Sequence, residues 1–222
     1  MFLAALFAAN IFIWHSVFRE ERGGWLRVAF LDIGQGDSIY IEAPNGNQLL
    51  IDGGSGKQIL PALSSVMPVY DRSIDAVLAT HPDKDHIGGL PSVLLRYEVG
   101  KIFLNGARSD TAAWKEFENK TEESAAEKII ARRGMRVRLS RDVYFDVLFP
   151  DVEVSRFKET NDGSIVGKLV YKNESFLLTG DSPIKIERHL VSTDGKNLRS
   201  NVLKLGHHGS RTSSGESYLG FV

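Results

Sequence analysis

Four strand-like runs in this chain each end in a glycine-containing turn that carries an acid or an imidazole. Residues 48–52 (QLLID) run into Gly53-Gly54, and residues 74–80 (IDAVLAT) run into His81-Pro82-Asp83-Lys84-Asp85-His86 followed by Gly88-Gly89. Residues 175–178 (SFLL) run into Thr179-Gly180-Asp181, and residues 201–205 (NVLKL) into Gly206-His207-His208-Gly209. Short aliphatic, β-branched runs bounded by glycine read as strands. Strands with helical stretches between them must be buried as sheets covered by helices. In such α/β proteins, sites are built at the C-terminal ends of strands. The pattern therefore constrains fold and site together.

Other segments fill in this picture. Residues 26–32 and 38–42 read as strands, and Asn45-Gly46 is a strong two-residue hairpin signal before residues 47–52. Residues 101–104 and 143–149 are further strands, and residues 168–171 and 175–178 form a hairpin around Lys172-Asn173-Glu174. Residues 111–133 carry acids first and bases later, which suits the helix dipole, with Gly134 as a stop. Leu90-Pro91 opens another helix, and Ser182-Pro183 reads as N-cap and first helical residue of one running to about Ser192. No internal repeat or low-complexity linker interrupts the chain, so residues 26–222 are expected to form one domain.

Residues 1–18 (MFLAALFAANIFIWHSVF) contain no Lys, Arg, Asp or Glu. About 17–20 apolar residues are needed to span a bilayer as a helix. The stretch lacks the basic start and small-residue cleavage site of a secretory signal. It is expected to be an uncleaved membrane anchor or the last span of a longer membrane protein, a buried core helix being the other reading. Residues 19–25 would be the linker. The charge pattern fixes no orientation; an extracytoplasmic position for the domain is favoured.

The 27 basic and 28 acidic side chains nearly cancel, which excludes a globally basic nucleic-acid binder but not a local basic patch. There is no cysteine, so a cysteine nucleophile, an iron–sulfur cluster and a Cys-type zinc site are all excluded. The segment 81–86 is the most specific chemical feature. Its four metal-capable side chains stand at i, i+2, i+4 and i+5, and in an extended segment residues two apart point the same way. His81 and Asp83 would grip one ion while Asp85 and His86 reach another. Asp52, Asp181 and the His207-His208 pair would have to converge on them.

IDGG, HPDKDHIGGL, LLTGD and LGHHGS, in this order, resemble the metal-site motifs of the metallo-β-lactamase superfamily. Together with FLDIGQGDS they are most similar to the metallo-β-lactamase-like domain of ComEC competence proteins, which take up DNA. The resemblance covers roughly residues 26–214. It implies an αββα four-layer sandwich, preceded here by the hydrophobic helix, with one or two divalent ions (Mn2+ or Zn2+) at one edge. It also implies His81, Asp83, Asp85, His86, Asp181 and His207 or His208 as ligands, with Asp52 as a supporting acid.

The chain departs from the superfamily pattern in three places. Asp83 stands where H-x-H-x-D-H has its second His, and a carboxylate shifts preference toward manganese or magnesium. The separate His expected between that segment and Asp181 is absent; Asp162 is the nearest weak substitute, in what reads as a turn. The domain is also expected to lack its last strand, and with it one further ligand. His189 lies within a helical pattern and reads as a packing or surface residue.

The expected activity is metal-dependent hydrolysis of DNA or another phosphodiester, with Asp85 holding the attacking water and His208, if not a ligand, protonating the leaving oxygen. Arg132, Arg133, Arg136, Arg138 and Arg141 form a run in which Arg136 and Arg138 share one strand face. It reads either as a solvated face or as a phosphate-contacting stripe. A DNA-uptake channel is the implied partner. Hydrolysis of a small thioester, lactone or β-lactam, and a non-catalytic DNA-binding or assembly module, are the alternatives.

Overall fold

The computed structural model describes residues 2–21 and 24–222. Helix α1 (Phe2–Glu21) opens the chain where an N-terminal helix is expected, and residues 2–15 are exposed along their length. Among the described residues no helix is long and apolar enough to cross a membrane. The expected linker over residues 19–25 lies partly outside the described residues.

Two sheets follow. Strands β1 (Arg27–Phe30), β2 (Ile39–Glu42) and β3 (Gln48–Ile51) form an antiparallel meander. The chain continues through α2 (Ile59–Val66), β4 (Ser73–Ala79), α3 (Lys84–Ile87), α4 (Leu90–Arg96), β5 (Glu98–Leu104), α5 (Ala112–Glu123) and β6 (Glu127–Ile130). Strands β3 to β6 are parallel neighbours, so the first sheet runs β1-β2-β3-β4-β5-β6. The second sheet takes β7 (Arg136–Arg138), β8 (Val143–Phe149), β9 (Val166–Tyr171), β10 (Glu174–Leu178), then α6 (Ile184–Asp194), β11 (Val202–Leu203) and α7 (Glu216–Leu219). Its order is β11-β10-β9-β8-β7, antiparallel except for the β10–β11 pair.

Side-chain periodicity explains the layering. In β8 the residues alternate, with Val143, Phe145 and Val147 buried and Tyr144, Asp146 and Leu148 half-exposed. The buried set meets Ile39, Ile41, Leu49, Ile51 and Leu78 of the first sheet, so one core lies between the sheets. Strands β2 and β3 are buried on both faces because Tyr40 and Leu50 point the other way, into a second core with Ile59, Leu63 and Leu90 under α2 and α4. A third core joins Phe149, Val166 and Leu177 to Ile186 and Leu190 of α6. Helix–sheet–sheet–helix layering, the expected αββα sandwich, is the result. Strands β3, β4, β10 and β11 all end at the same edge.

Two sequence expectations need correction. Residues 111–133 are not one helix: α5 ends at Glu123, and residues 127–130 form β6 in parallel register with β5. The acid-to-base gradient is real, but Ile129 and Ile130 are β-branched and pair with Phe103 and Leu104. Gly134, at φ +88°, turns the chain from β6 toward β7 instead of ending a helix. Thr111 does cap α5, its hydroxyl accepting from Trp114 N–H. In α6 the cap is Pro183, not Ser182, and the helix runs to Asp194.

The Phe145 ring lies against Gly167, where a Cβ would fall 2.1 Å from it, and it is 1% exposed. Phe145→Ala should therefore leave a cavity between the sheets and cost about 3–5 kcal/mol in chemical denaturation.

Candidate metal centre

The centre is organised by a buried carboxylate at the end of β3. Asp52 adopts φ 57°, which turns its side chain into the sheet edge, and is 1% exposed. Its Oδ1 accepts from Thr80 N–H at 2.8 Å, and its Oδ2 accepts from Thr80 Oγ1 at 2.7 Å and from His86 Nδ1 at 2.7 Å. Thr80 follows β4 and His86 lies in α3, so one carboxylate ties three elements together. Because the Thr80 hydroxyl proton goes to Asp52, His81 Nδ1, 2.9 Å away, must itself donate to Thr80 Oγ1.

The same tautomer logic holds at every histidine of the centre. His207 Nδ1 meets Thr212 Oγ1 at 3.0 Å, and His208 Nδ1 donates to Asp37 Oδ1 at 3.3 Å. Four imidazoles therefore have Nδ1 engaged, and their Nε2 atoms face a ring of carboxylates. His81 Nε2 lies 3.6 Å from Asp83, and His86 Nε2 lies 3.2 Å from Asp181 Oδ1. His208 Nε2 is 3.3 Å from Asp85 and 3.5 Å from Asp181, and His207 Nε2 is 3.8 Å from Asp181. Asp181 is held by its backbone N–H, which donates to Ser164 Oγ at 3.3 Å.

Electrostatics follow from burial and these neighbours. Burial pushes the His81 imidazolium down to a pKa of about 3, with the charge of His86 adding to it, so His81 is neutral. Burial also opposes charge on His86, but Asp52 and Asp181 on its two sides hold it well above the usual imidazole range. Asp181 is buried, which favours its neutral form, yet the hydrogen bond and charge of His86 hold it below the usual carboxylate range. Without a metal, the His86 imidazolium is the cation between two carboxylates.

The donor set fits a divalent ion. His81 Nε2 is buried without a hydrogen-bond partner, and His86 Nε2 and Asp181 Oδ1, buried beside it, have only their mutual 3.2 Å contact, a costly arrangement for polar atoms unless something binds them. Ligand atoms of Asp37, His86, Asp181 and His208 lie within 4.8 Å of one another. Nitrogen and oxygen donors alone suit zinc, manganese or another hard-to-borderline ion. Each histidine also has the Nδ1 partner that fixes a metal-binding imidazole.

Of the sequence-predicted residues, Asp52, His81, Asp83, Asp85, His86, Asp181, His207 and His208 all come together. Asp83 and Asp85 stand at the open mouth, with side chains 37% and 32% exposed. Asp162 is instead ion-paired to Lys185, and His189 bonds Asp151 on α6's outer side. The arginines lie elsewhere: Arg136 and Arg138 project from β7, at the opposite sheet edge from β11. Arg136 is bidentate to Asp146 and stacked on Tyr144, and Arg133 is bidentate to Asp194. Arg132 donates to the carbonyls of Asn105 and Ala131, while Arg138 and Arg141 are exposed. Asp37 is a site residue that the sequence reading left unassigned. The signal was Gly36: a Cβ there would sit 1.7 Å from the Asp85 carbonyl, so glycine alone lets the β1–β2 loop reach the centre.

The profile of the metallo-beta-lactamase superfamily matches residues 31–220. This chain belongs to that superfamily. It is similar to ComE operon protein 3 of Bacillus subtilis (strain 168), 29% identical over 212 residues that cover 86% of this chain and 26% of that protein. It is also similar to competence protein ComA of Neisseria gonorrhoeae, 32% identical over 200 residues, with 88% and 25% covered. Endoribonuclease YSH1 of Saccharomyces cerevisiae (strain ATCC 204508 / S288c) is 25% identical over 190 residues, with 76% and 24% covered. The chain thus spans about a quarter of the length of these curated relatives. Metallo-β-lactamase superfamily members are mostly hydrolases, and this member carries a candidate divalent-metal site.

Asp52→Ala should release His86 and Thr80 together. Manganese affinity, measured by calorimetric titration, should fall about 10–100-fold, the usual cost of losing such an orienting partner.

Proposed function

We propose that this chain is a metal-dependent phosphodiesterase that cleaves DNA, working in a DNA-uptake context like its competence-protein relatives. The observation that carries the reading is the ring of four imidazoles whose Nε2 atoms face Asp83, Asp85 and Asp181. The names of the relatives support the substrate class: two are competence proteins and one is an endoribonuclease. The exposed apolar residues of α1 support attachment to a membrane; in this reading the attachment is beside an uptake channel, with the domain extracytoplasmic.

His81, Asp83, His86, Asp181 and His207 would hold one or two manganese or zinc ions, with Asp85 completing the set. Bound there, such ions lower the pKa of water and neutralise charge on a phosphodiester. The chain's own groups handle the protons. Asp85, at the mouth, takes the proton of the attacking water, and His208 gives one from Nε2 to the leaving oxygen. The two side chains are 3.3 Å apart, so the proton gained by Asp85 can return to His208 after each turnover. Asp181 reaches both His86 through Oδ1 and His207 and His208 through Oδ2, and so holds the donor groups in register.

The full chain with manganese should cleave single-stranded DNA, and Asp181→Asn and Asp85→Asn should each lower the rate by at least about 100-fold. Equal background cleavage by wild type and both variants would sink the nuclease reading. Faster hydrolysis of a lactone or thioester than of DNA would move the substrate to that class.

A further inference from the structure

We propose that Asp37 is a positioning residue for His208 and not a metal ligand. By distance alone it passes as a ligand, since its carboxylate falls in the same 4.8 Å cluster as His86, Asp181 and His208. Both of its oxygens are, however, already committed. Oδ1 faces His208 Nδ1 at 3.3 Å, and because a carboxylate only accepts, the imidazole must carry its proton on Nδ1. Oδ2 has no hydrogen-bond partner but is in ion-pair contact with Lys204 Nζ. That ammonium is fixed in turn: it donates to the carbonyls of Leu205 at 3.1 Å and Gly180 at 3.3 Å, and its side chain is 12% exposed.

A divalent ion on Asp37 would share the carboxylate with an ammonium already in contact, and like charges at that range in a partly buried site repel strongly. The same carboxylate, paired with Lys204 through Oδ2, presents Oδ1 to the Nδ1–H of His208. His208 Nε2 is then free to face Asp85 and Asp181, at 3.3 and 3.5 Å. Asp37 thus does for His208 what Asp52 does for His86, and it does so across the sandwich. Asp37 comes from the β1–β2 loop of one sheet, whereas Lys204 and His208 follow β11 of the other. His208 has φ 51°, a left-handed conformation that β11's short exit would not hold unaided.

The turnover part of this inference rests on the DNA-cleaving reading; the metal and tautomer parts do not. Manganese binding to the full chain is measured by calorimetry for wild type, Asp37→Asn, Asp37→Ala and Asp181→Asn, with thermal melts to confirm folding. The His208 tautomer is read by nitrogen-15 NMR of the metal-free protein. Manganese stoichiometry and affinity should be unchanged within about threefold in both Asp37 variants and lost in Asp181→Asn. Wild-type His208 should carry a proton on Nδ1. With DNA as substrate, Asp37→Ala should lose about 10–100-fold in kcat at unchanged KM, and Asp37→Asn, whose amide oxygen still accepts from Nδ1, should recover part of it. A loss of manganese in Asp37→Asn matching that in Asp181→Asn would make Asp37 a ligand and overturn the proposal. So would a wild-type His208 that carries no proton on Nδ1. If wild type fails to cleave DNA, the nuclease reading falls, and the metal and NMR results still decide the role of Asp37.

Discussion

The hydrogen bonds converging on the Asp52 carboxylate are the constraint on which the rest of the centre depends. They draw the ends of β3 and β4 and the start of α3 onto one group that is 1% exposed. A buried carboxylate is tolerable only if its lone pairs are satisfied, and here three donors satisfy them. Two of these donors orient histidines: His86 Nδ1 bonds Asp52 directly and His81 Nδ1 through the Thr80 hydroxyl, so that both Nε2 atoms face inward. The orientation of His81 and His86 is therefore set by folding before any ion arrives. Backbone strain collects at the same place: Asp52, His207 and His208 all adopt positive φ, which side chains other than glycine seldom do. Packing between the sheets holds those conformations, and the site spends that stability on a fixed donor geometry.

The strand-end motifs were readable from sequence because they are local. An aliphatic run followed by glycine and an acid is a strand and its turn wherever the chain goes, and parallel strands carry such turns to one edge. Non-local pairings were not readable. Residues 124–133 were read as helix from their charges, yet their β-branched residues 129 and 130 found β5, and tertiary pairing overrode the local pattern. Arg136 and Arg138 do share a face, as their spacing requires, but nothing in MRVRLSR shows that Asp146 will clamp Arg136 or that Asp194 will clamp Arg133. Asp37 escaped for a related reason. A Gly-Asp-Ser segment reads as a solvated turn until Gly36 is seen lying against the Asp85 carbonyl.

The centre has a closed half and an open half. His81 and His86 are buried, and their geometry is fixed by Thr80 and Asp52. Asp83 and Asp85 lie at the mouth with a third of each side chain exposed. Replacement of the superfamily's second histidine by Asp83 thus falls on the open half, where a carboxylate is cheap to keep hydrated. A histidine there would add a donor that needs its own Nδ1 partner; an aspartate needs none. The change hardens the donor set without asking anything further of the fold.

Charge explains how such a site survives without metal. Asp37, Asp52, Asp83, Asp85 and Asp181 gather at one edge, and carboxylates placed so close together need cations among them. Lys204 offsets Asp37. His86, protonated between Asp52 and Asp181, offsets the buried pair, so the imidazolium stands in for the cation. A metal held at His86 Nε2 would take the place of that proton, and its affinity would then be coupled to proton release. A bound metal would replace the proton on His86, whereas the ammonium of Lys204 is held by its contacts to Gly180, Leu205 and Asp37. One cation would be exchangeable and the other fixed, and that difference separates Asp181, which faces the exchangeable one, from Asp37, which is held by the fixed one.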